Sequence, residues 1–499
     1  MAIVDLERYR ERAERFNSEL DLEYYEHFSG RKPTCETAAV YDRYPELFTR
    51  EAIDGLDELY EAAVDDEKLR LAYLLAFAVE GFMGEQTKHL SDELANTESA
   101  ARIEVDGESI ALRQAGVVQA DEPDAARRAR IQEARLRATD ELLNPLLERI
   151  WERSHELAVF LGYADYKELF AVVKGVDYDH LCAELETFLA ATANLYERVM
   201  HDLVRERLGY GLDQLAYSDL PYLWRARGFD GVFTSDGLVP TLRRTLAGLG
   251  IDLDGQPNVH LDTEVRELKS PRAFCCPVRV PGEIYLVVLP HGGQDDYAAL
   301  LHEAGHTEHF AHVGPDLAFE YRHLGDNAVT EAFAFVFDHL VVNRQWLQSL
   351  LGYTDSAEFV RFASVNDLYF LRRYVAKLAY ETRLHARTGG LDGMAEEYSR
   401  RLSGATMVAV PPENYLADVD AGFYCASYLR AWMLEGALRV RLEERYGASW
   451  FAEPRAGVWL RELWSGGQEL TAERLLLRHG GGRLNADPLR YLFEKTLDH

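Results

Sequence analysis

The chain has 499 residues, of which 47% are hydrophobic and 11% aromatic, a composition typical of a folded globular protein and not of a disordered one. Its 84 acidic residues outnumber 54 basic residues and give a formal net charge of −30, which repels nucleic acids and anionic membranes. We therefore expect neither a nucleic-acid partner nor a membrane partner.

The cysteine content indicates reduced thiols rather than a disulfide framework, because the number is odd and no CxxC pair occurs. The five cysteines are Cys35, Cys182, Cys275, Cys276 and Cys425. Residues 1–10 are charged and lack the apolar core of a signal peptide, and the longest apolar run, 71–79, is too short to span a bilayer. These features predict a cytoplasmic protein.

Amphipathic helical patterns occupy the first hundred residues and are interrupted at residues 30–33 and at Gly55. Alternating polar and apolar residues around Asp106-Gly107 predict a two-stranded hairpin over residues 102–112. Further helices are predicted after Pro123, over residues 144–161, over residues 177–208 and near Leu238.

The hydrophobic period changes before residue 290. Residues 272–280 and 283–289 are strand-like runs joined by Pro281-Gly282. The adjacent Cys275 and Cys276 would point to opposite faces of the first strand, which disfavours them as a pair of metal ligands. A small sheet in this position commonly offers an edge along which an extended peptide can lie.

The sequence His302-Glu303-Ala304-Gly305-His306 is an HExxH motif, and a breaker-free run precedes it, with Asp295 and Asp296 as candidate N-caps. On a helix, the two imidazoles lie one turn apart on one face, where both can reach one zinc ion. Glu303 would then point near the open position of the metal. Gly305 lowers helix propensity, which is tolerable if another element approaches closely there.

A second helix is predicted to begin after a cap at Asp326-Asn327 and to run over residues 328–342. It is apolar on nearly every side and should be buried, yet Glu331 lies near its start. A buried carboxylate is unfavourable unless it is paired or bound to a metal. Two histidines and one carboxylate, with water as the fourth ligand, form a standard catalytic zinc site. We predict one zinc ion per chain, held by His302, His306 and Glu331; the alternative is a chance motif with core histidines.

The remainder is again helical, with packing helices over residues 367–374 and 394–402 and a loop at Pro411-Pro412. The segment 414–428 then contains several tyrosines, and no low-complexity linker or fixed-period repeat occurs.

Together, the short N-terminal helices, the HExxH helix, the buried Glu331 and the late Gly- and Tyr-containing segment resemble the M3 metallopeptidases. These are the thimet oligopeptidase and oligoendopeptidase F relatives among the gluzincins. The resemblance extends over most of the chain, but only the motifs of the metal region are specific to the family. It implies a mainly α-helical, two-lobed ellipsoid with a deep central channel and a small β-sheet beside the HExxH helix. We predict an N-terminal helical lobe over residues 1–230 and a catalytic lobe over 231–499, sharing the channel as one compact unit.

The resemblance also implies roles for single residues. His302, His306 and Glu331 would be the zinc ligands and Glu303 the general base. Asp338, seven residues after Glu331 on the same helical face, would orient a ligand histidine; the alternative is that it merely precedes the helix end.

The late segment departs from the family pattern. Residues 420–424 fit the family's Asp-Ala-x-Tyr-Tyr run, but Asn414 and Val419 stand where relatives carry a histidine and a tyrosine that polarise the substrate carbonyl. Tyr424 and Tyr428 remain, one helical turn apart, and a tyrosine hydroxyl can donate to a developing oxyanion. Both are catalytic candidates, with packing in the core as the alternative.

The predicted function is zinc-dependent hydrolysis of peptide bonds in short unstructured peptides. Three alternatives stay open. An Arg or Lys that binds a terminal carboxylate would make the protein a metallocarboxypeptidase. A non-catalytic peptide-binding protein could retain the peptidase fold, although Glu303 argues against it. A zinc hydrolase could instead act on a non-peptide amide.

Overall fold

The computed structural model describes residues 5–270, 272–387 and 390–498. Within these ranges the chain is mainly α-helical with small sheets, which confirms the predicted fold class. Residues 1–4, part of the segment used to predict the location, lie outside the described residues. None of the described helices is both long and apolar enough to span a bilayer.

The α-helices of the described chain are α1 (Leu6–Phe28), α2 (Thr37–Asp42), α3 (Arg50–Ala62), α4 (Asp65–Ala100), α5 (Leu112–Asp121), α6 (Ala125–Ala138), α7 (Asn144–Phe160), α8 (Tyr166–Lys174), α9 (Tyr178–Ala191), α10 (Ala193–Leu208), α11 (Leu220–Trp224), α12 (Ser235–Gly248), α13 (Gln294–Ala311), α14 (Asn327–Asp338), α15 (Arg344–Leu351), α16 (Ala357–His385), α17 (Met394–Thr406), α18 (Tyr424–Tyr446), α19 (Pro454–Trp464), α20 (Ala472–Arg478) and α21 (Asp487–Leu497).

The strands are β1 (Arg102–Val105), β2 (Glu108–Ala111), β3 (Val259–Asp262), β4 (Phe274–Arg279) and β5 (Glu283–Val287). The predicted hairpin is confirmed: β1 and β2 pair antiparallel, and positive φ angles of 54° at Asp106 and 82° at Gly107 form its tight turn. The second sheet has the order β3-β5-β4, with β3 parallel and β4 antiparallel to β5. Strand β3 was not predicted, because it pairs parallel with β5 and has no hairpin turn to a neighbouring strand that would mark it in the sequence.

The predicted interruption at Gly55 is wrong, since α3 continues through it. Thr49 caps this helix by accepting a hydrogen bond from the Ala52 amide, and Ile53 and Leu56 are buried on one face. A capped amphipathic helix that packs can contain one glycine, which costs only about 1 kcal/mol relative to alanine.

Two predicted helix boundaries are also corrected. The helix that carries HExxH begins after Gly293, whose φ of 91° suits glycine, and neither Asp295 nor Asp296 is its N-cap. Asp296 instead accepts hydrogen bonds from the His291 and Gly292 amides. The second helix, α14, ends at Asp338 and continues as a tighter 3-10 turn over His339–Val342. Its predicted N-cap is confirmed at Asp326.

The chain forms two compact units, each made of three segments. The first unit comprises Met1–Phe82, Gly228–Val360 and Ser427–Leu492, and the second comprises Met83–Arg227, Arg361–Ala426 and Phe493–His499. The second unit contains the β1–β2 hairpin, whose buried Ile103 and Ile110 pack with Ile131 of α6. The lobes 1–230 and 231–499 stay a prediction.

In the first unit, the sheet β3–β5 lies between two helices. On one face, Tyr25 of α1 packs with Cys276 and Val287, and on the other face Cys275 and Ile284 pack on the side of α13. The two adjacent cysteines therefore point to opposite faces, as their position on a strand predicts. This arrangement brings β4 alongside the HExxH helix.

Candidate metal centre

The helices α13 and α14 approach each other closely at Gly305. A Cβ atom on Gly305 would lie 2.6 Å from the Ala334 Cα and 2.7 Å from the Phe333 carbonyl oxygen, which are distances that no real Cβ atom tolerates. Glycine is therefore required at this position for the two backbones to meet. The close approach expected at Gly305 is confirmed, and it brings the histidines of α13 to the start of α14.

His302, His306 and Glu331 converge on one point. The Glu331 Oε2 atom lies 3.3 Å from the His302 Nε2 atom and 3.6 Å from the His306 Nε2 atom. One potential ligand atom from each side chain lies within 4.8 Å of the other two. Glu331 is buried, with 4% of its surface exposed. These three side chains could hold a metal ion.

Each histidine presents Nε2 to this point because its Nδ1 atom is bonded elsewhere. The His302 Nδ1 atom lies 2.9 Å from Asp338 Oδ2, and the His306 Nδ1 atom lies 2.8 Å from the Thr330 hydroxyl. Asp338 thus lies against a predicted ligand histidine. Sequence reasoning missed Thr330, although a buried hydroxyl residue directly before Glu331 in an apolar helix was a usable signal.

The carboxylates of the site differ in their environment. Burial would raise the pKa of Glu331, but His306 and His302 hold it below its usual range. Burial raises the pKa of Asp338, with the adjacent His302 opposing that shift. Burial would lower the pKa of His302. The hydrogen bonds and charges of Asp338 and Glu331 outweigh the effect of burial and raise this pKa well above its usual value. The carboxylates around His302 therefore favour positive charge on that imidazole.

Glu303 projects from the same helix towards the sheet. Its Oε2 atom accepts a hydrogen bond of 2.8 Å from the backbone N–H of Cys275, on strand β4. Burial raises the pKa of Glu303 above its usual value, although His306 and His302 oppose that shift. No sequence pattern predicts this backbone donor, because it depends on the packing of β4 against α13.

The two candidate tyrosines lie in different units. Tyr428 belongs to the first unit, and its ring lies 5.6 Å from that of Phe335, which also lies 5.2 Å from the His302 ring. Two residues further on, Arg430 donates to both carboxylate oxygens of Asp326, the N-cap of α14. Tyr424 belongs to the second unit. Both tyrosines are half-buried, and their roles stay predictions.

A second group that could hold a metal ion lies in the second unit and consists of Glu381, Asp420 and Cys425. The ammonium of Lys377 lies 2.8 Å from Asp420 Oδ2 and 3.9 Å from Glu381 Oε1. A cation is therefore already present at these carboxylates, which argues against a metal ion there.

Comparison with known proteins supports the architecture. No protein-family model matches the chain, and no curated protein matches it. The structure is similar to the crystal structure of a provisionally named oligoendopeptidase F from Bacillus anthracis str. Ames, with a TM-score of 0.66. The match covers 97% of this chain and 88% of that chain at 14% sequence identity. The likeness shows the fold.

Proposed function

We propose that the protein is a zinc-dependent metallopeptidase that hydrolyses peptide bonds of short unstructured peptides and holds one zinc ion per chain. The observation that carries the proposal is the convergence of the His302 and His306 Nε2 atoms with the Glu331 carboxylate, beside Glu303. The likeness in fold to an oligoendopeptidase F adds independent support.

The donor set fits zinc. Ligand atoms about 2.1 Å from a tetrahedral zinc ion lie about 3.4 Å from one another. The separations of 3.3 Å and 3.6 Å between the Glu331 oxygen and the two imidazole nitrogens match that distance. Partners on both Nδ1 atoms, Asp338 and Thr330, hold the imidazoles with Nε2 directed inward, as outer partners of metal-bound histidines do.

Glu303 is the proposed general base. A zinc ion bound at this site would act as a Lewis acid on the scissile carbonyl and make a water molecule acidic enough to give up a proton near neutral pH. Because Glu303 Oε2 accepts the Cys275 N–H, Oε1 is the oxygen that takes this proton and passes it to the leaving amine. The Tyr428 hydroxyl donates to the developing oxyanion, and Tyr424 is the second candidate for that donation.

A peptide substrate is favoured by the position of β4, which is an edge strand of its sheet. An extended chain can add to such an edge through backbone hydrogen bonds, and the edge lies at the residue that contacts Glu303. Folded proteins rarely offer a free extended segment, so short unstructured peptides are the proposed partners. No disulfide joins the five cysteines, all of which lie in the described part of the chain, and this suits the proposed cytoplasmic location.

The test uses the zinc-loaded full chain and a mixture of peptides whose products are read by mass spectrometry. Cleavage of internal bonds supports the proposal, whereas release of C-terminal residues alone identifies a carboxypeptidase. Binding without cleavage identifies a peptide-binding protein, and turnover of amides other than peptides identifies the third alternative.

Glu303→Gln should abolish cleavage and keep zinc, whereas His306→Ala should lose both. Cleavage by Glu303→Gln within a few-fold of wild type would remove Glu303 as the base.

A further inference from the structure

Strand β4 is an edge strand of its sheet among the described residues, and Cys275 on this edge lies next to the proposed base. Cys275 lies opposite Leu286 of β5, but its N–H donates to Glu303 instead of to β5. Its backbone N–H and C=O therefore face the outer side of the sheet, as in the non-hydrogen-bonded pairs of an antiparallel ladder. A peptide added to this edge would lie within reach of Glu303.

The two side chains at this point of β4 face opposite ways. Cys275 packs on the side of α13, where the metal centre lies, while Phe274 packs on the side of α1. A residue of an added strand has its side chain on the same face as the residue opposite to it. The peptide residue opposite Phe274 would therefore place its side chain on the α1 face.

That face carries three aromatic rings in a row, Tyr24, Phe28 and Phe274, which we call the aromatic shelf. The rings of Phe28 and Phe274 are 6.2 Å apart in an edge-to-face arrangement, and Tyr24 stacks on Phe28 at 6.1 Å. Tyr24 is 37% exposed and Phe28 is 44% exposed. Contiguous exposed aromatic rings of this kind usually mark a binding surface.

The shelf is a fixed surface because the chain around it is tied down. The Phe28 carbonyl accepts a hydrogen bond of 2.8 Å from the Ser270 amide. At Gly30 a Cβ atom would lie 2.6 Å from the Lys269 amide nitrogen, so this glycine allows the loop to pack against the end of α1. Leu268 of the same loop is 58% exposed.

We propose that the aromatic shelf binds an apolar, preferentially aromatic, side chain of the substrate peptide and so determines specificity at one position close to the scissile bond. The inference rests on the proposed function and adds the substrate class to it. The side chain that the shelf binds is the peptide side chain opposite Phe274. Phe274 directly precedes Cys275 on β4, and the Cys275 N–H donates to Glu303, so this side chain lies close to the proposed base. Aromatic rings favour an aromatic partner through edge-to-face contacts.

The test uses the zinc-loaded full chain and pairs of peptides. The two peptides of a pair differ only by Phe or Ala at one position, and this position is moved in turn along both sides of the cleaved bond. Wild type should prefer Phe at one position by roughly ten- to a hundred-fold in kcat/KM. Phe28→Ala and Tyr24→Ala should reduce that ratio towards one, mainly by slowing cleavage of the Phe peptide. Leu477→Ala, which removes a 66% exposed apolar side chain of α20 in the same unit, is the matched control and should keep the wild-type ratio.

A second readout does not depend on turnover. In the Glu303→Gln background, the dissociation constants of the intact Phe and Ala peptides should differ by a similar factor, and Phe28→Ala should remove the difference. Cleavage with an unchanged Phe-to-Ala ratio in both shelf variants overturns the inference. If wild type cleaves no peptide, the proposed function fails, and the dissociation constants alone decide whether the shelf binds aromatic side chains.

Discussion

His302 and His306 are held by partners of different strength. His302 bonds to the carboxylate of Asp338, whereas His306 bonds to the hydroxyl of Thr330. A hydrogen bond to an ionised group is roughly twice as strong as one between neutral groups. Asp338 should therefore contribute more than Thr330 to the affinity for zinc.

Asp338→Asn should raise the zinc dissociation constant by about ten- to a hundred-fold, because the imidazole loses a charged partner that orients it and increases its basicity. Competition with a chromophoric chelator measures this constant. Thr330→Val is the matched variant on the other histidine, and its effect should be smaller. An equal or larger effect of Thr330→Val would show that orientation by a carboxylate is not what sets the affinity.

Tyr428→Phe removes only a hydroxyl. Loss of one oxyanion donor costs about 2.7–4 kcal/mol, roughly a hundred- to a thousand-fold in kcat. We expect this loss in Tyr428→Phe and a smaller one in Tyr424→Phe. The reason is that the Tyr428 ring contacts Phe335, and Phe335 contacts the ring of His302. Steady-state kinetics on one cleaved peptide, with thermal melting as the folding control, gives the answer. Full kcat in both variants would exclude the tyrosines.

The sequence predicted which residues of the site would come together, and it did so because the chemistry is local. The spacing of His302 and His306 places them on one helical face, and the burial of Glu331 follows from its apolar neighbours. The partners of these side chains are less accessible to sequence reasoning. Thr330 gives one usable signal, a hydroxyl residue directly before Glu331 in an apolar helix, whereas the Cys275 donor is a backbone group that side-chain patterns do not report.

The contact between α13 and α14 depends on Gly305. Gly305→Ala should force the helices apart, because its Cβ would overlap the Ala334 Cα and the Phe333 carbonyl. Overpacking of this kind costs about 1–3 kcal/mol and should also weaken zinc binding, since the ligands are shared between the two helices. Urea denaturation and chelator competition measure the two effects.

Gly404→Ala in α17 is the control, because a Cβ atom there would have no neighbour within 4 Å among the described atoms. It should stabilise the protein by up to about 1 kcal/mol through helix propensity alone. A stable Gly305→Ala variant with normal zinc affinity would contradict the requirement for close approach.

The segment that follows β3 is held by a buried carboxylate. Asp262 accepts hydrogen bonds from Arg266 and from the buried ammonium of Lys269. Burial would raise its pKa, but these two cations hold the pKa of Asp262 at about 2, below the usual 3.8. A carboxyl group with a depressed folded-state pKa stabilises the fold above its unfolded pKa, and this contribution disappears as the pH falls from about 4 to about 2.

Asp262→Asn should therefore reduce the free energy of unfolding by about 2 kcal/mol at neutral pH and by much less at pH values near 2. Urea denaturation of both proteins across this range measures the difference. Asp254→Asn, at a 62% exposed partner of Arg243, is the control and should show a difference near zero throughout. A difference for Asp262→Asn that does not change with pH would show that the lost packing, and not the charge, is responsible.

Local patterns predicted most of the long elements, and the failures have physical causes. α6, α7 and α12 follow from hydrophobic period, and the hairpin follows from Asp106-Gly107. The predicted N-cap of α13 was wrong, because Asp296 accepts a hydrogen bond from the His291 amide in the turn before the helix. Long-range packing gives no such signal: Arg10 of α1 donates to the buried Glu320, 310 residues away in sequence.

Zinc should stabilise the folded chain, because the proposed ligands lie on two helices and come together only when these pack. Binding to the folded state alone adds about 4 kcal/mol to the free energy of unfolding when free zinc exceeds its dissociation constant a thousand-fold. Melting of chelator-treated and zinc-loaded protein measures the gain. Glu303→Gln should keep it, since that residue is proposed as the base, whereas Glu331→Ala should lose it. If zinc stabilised Glu331→Ala as strongly as wild type, the ion would be bound somewhere other than between α13 and α14, and the proposed centre would be wrong.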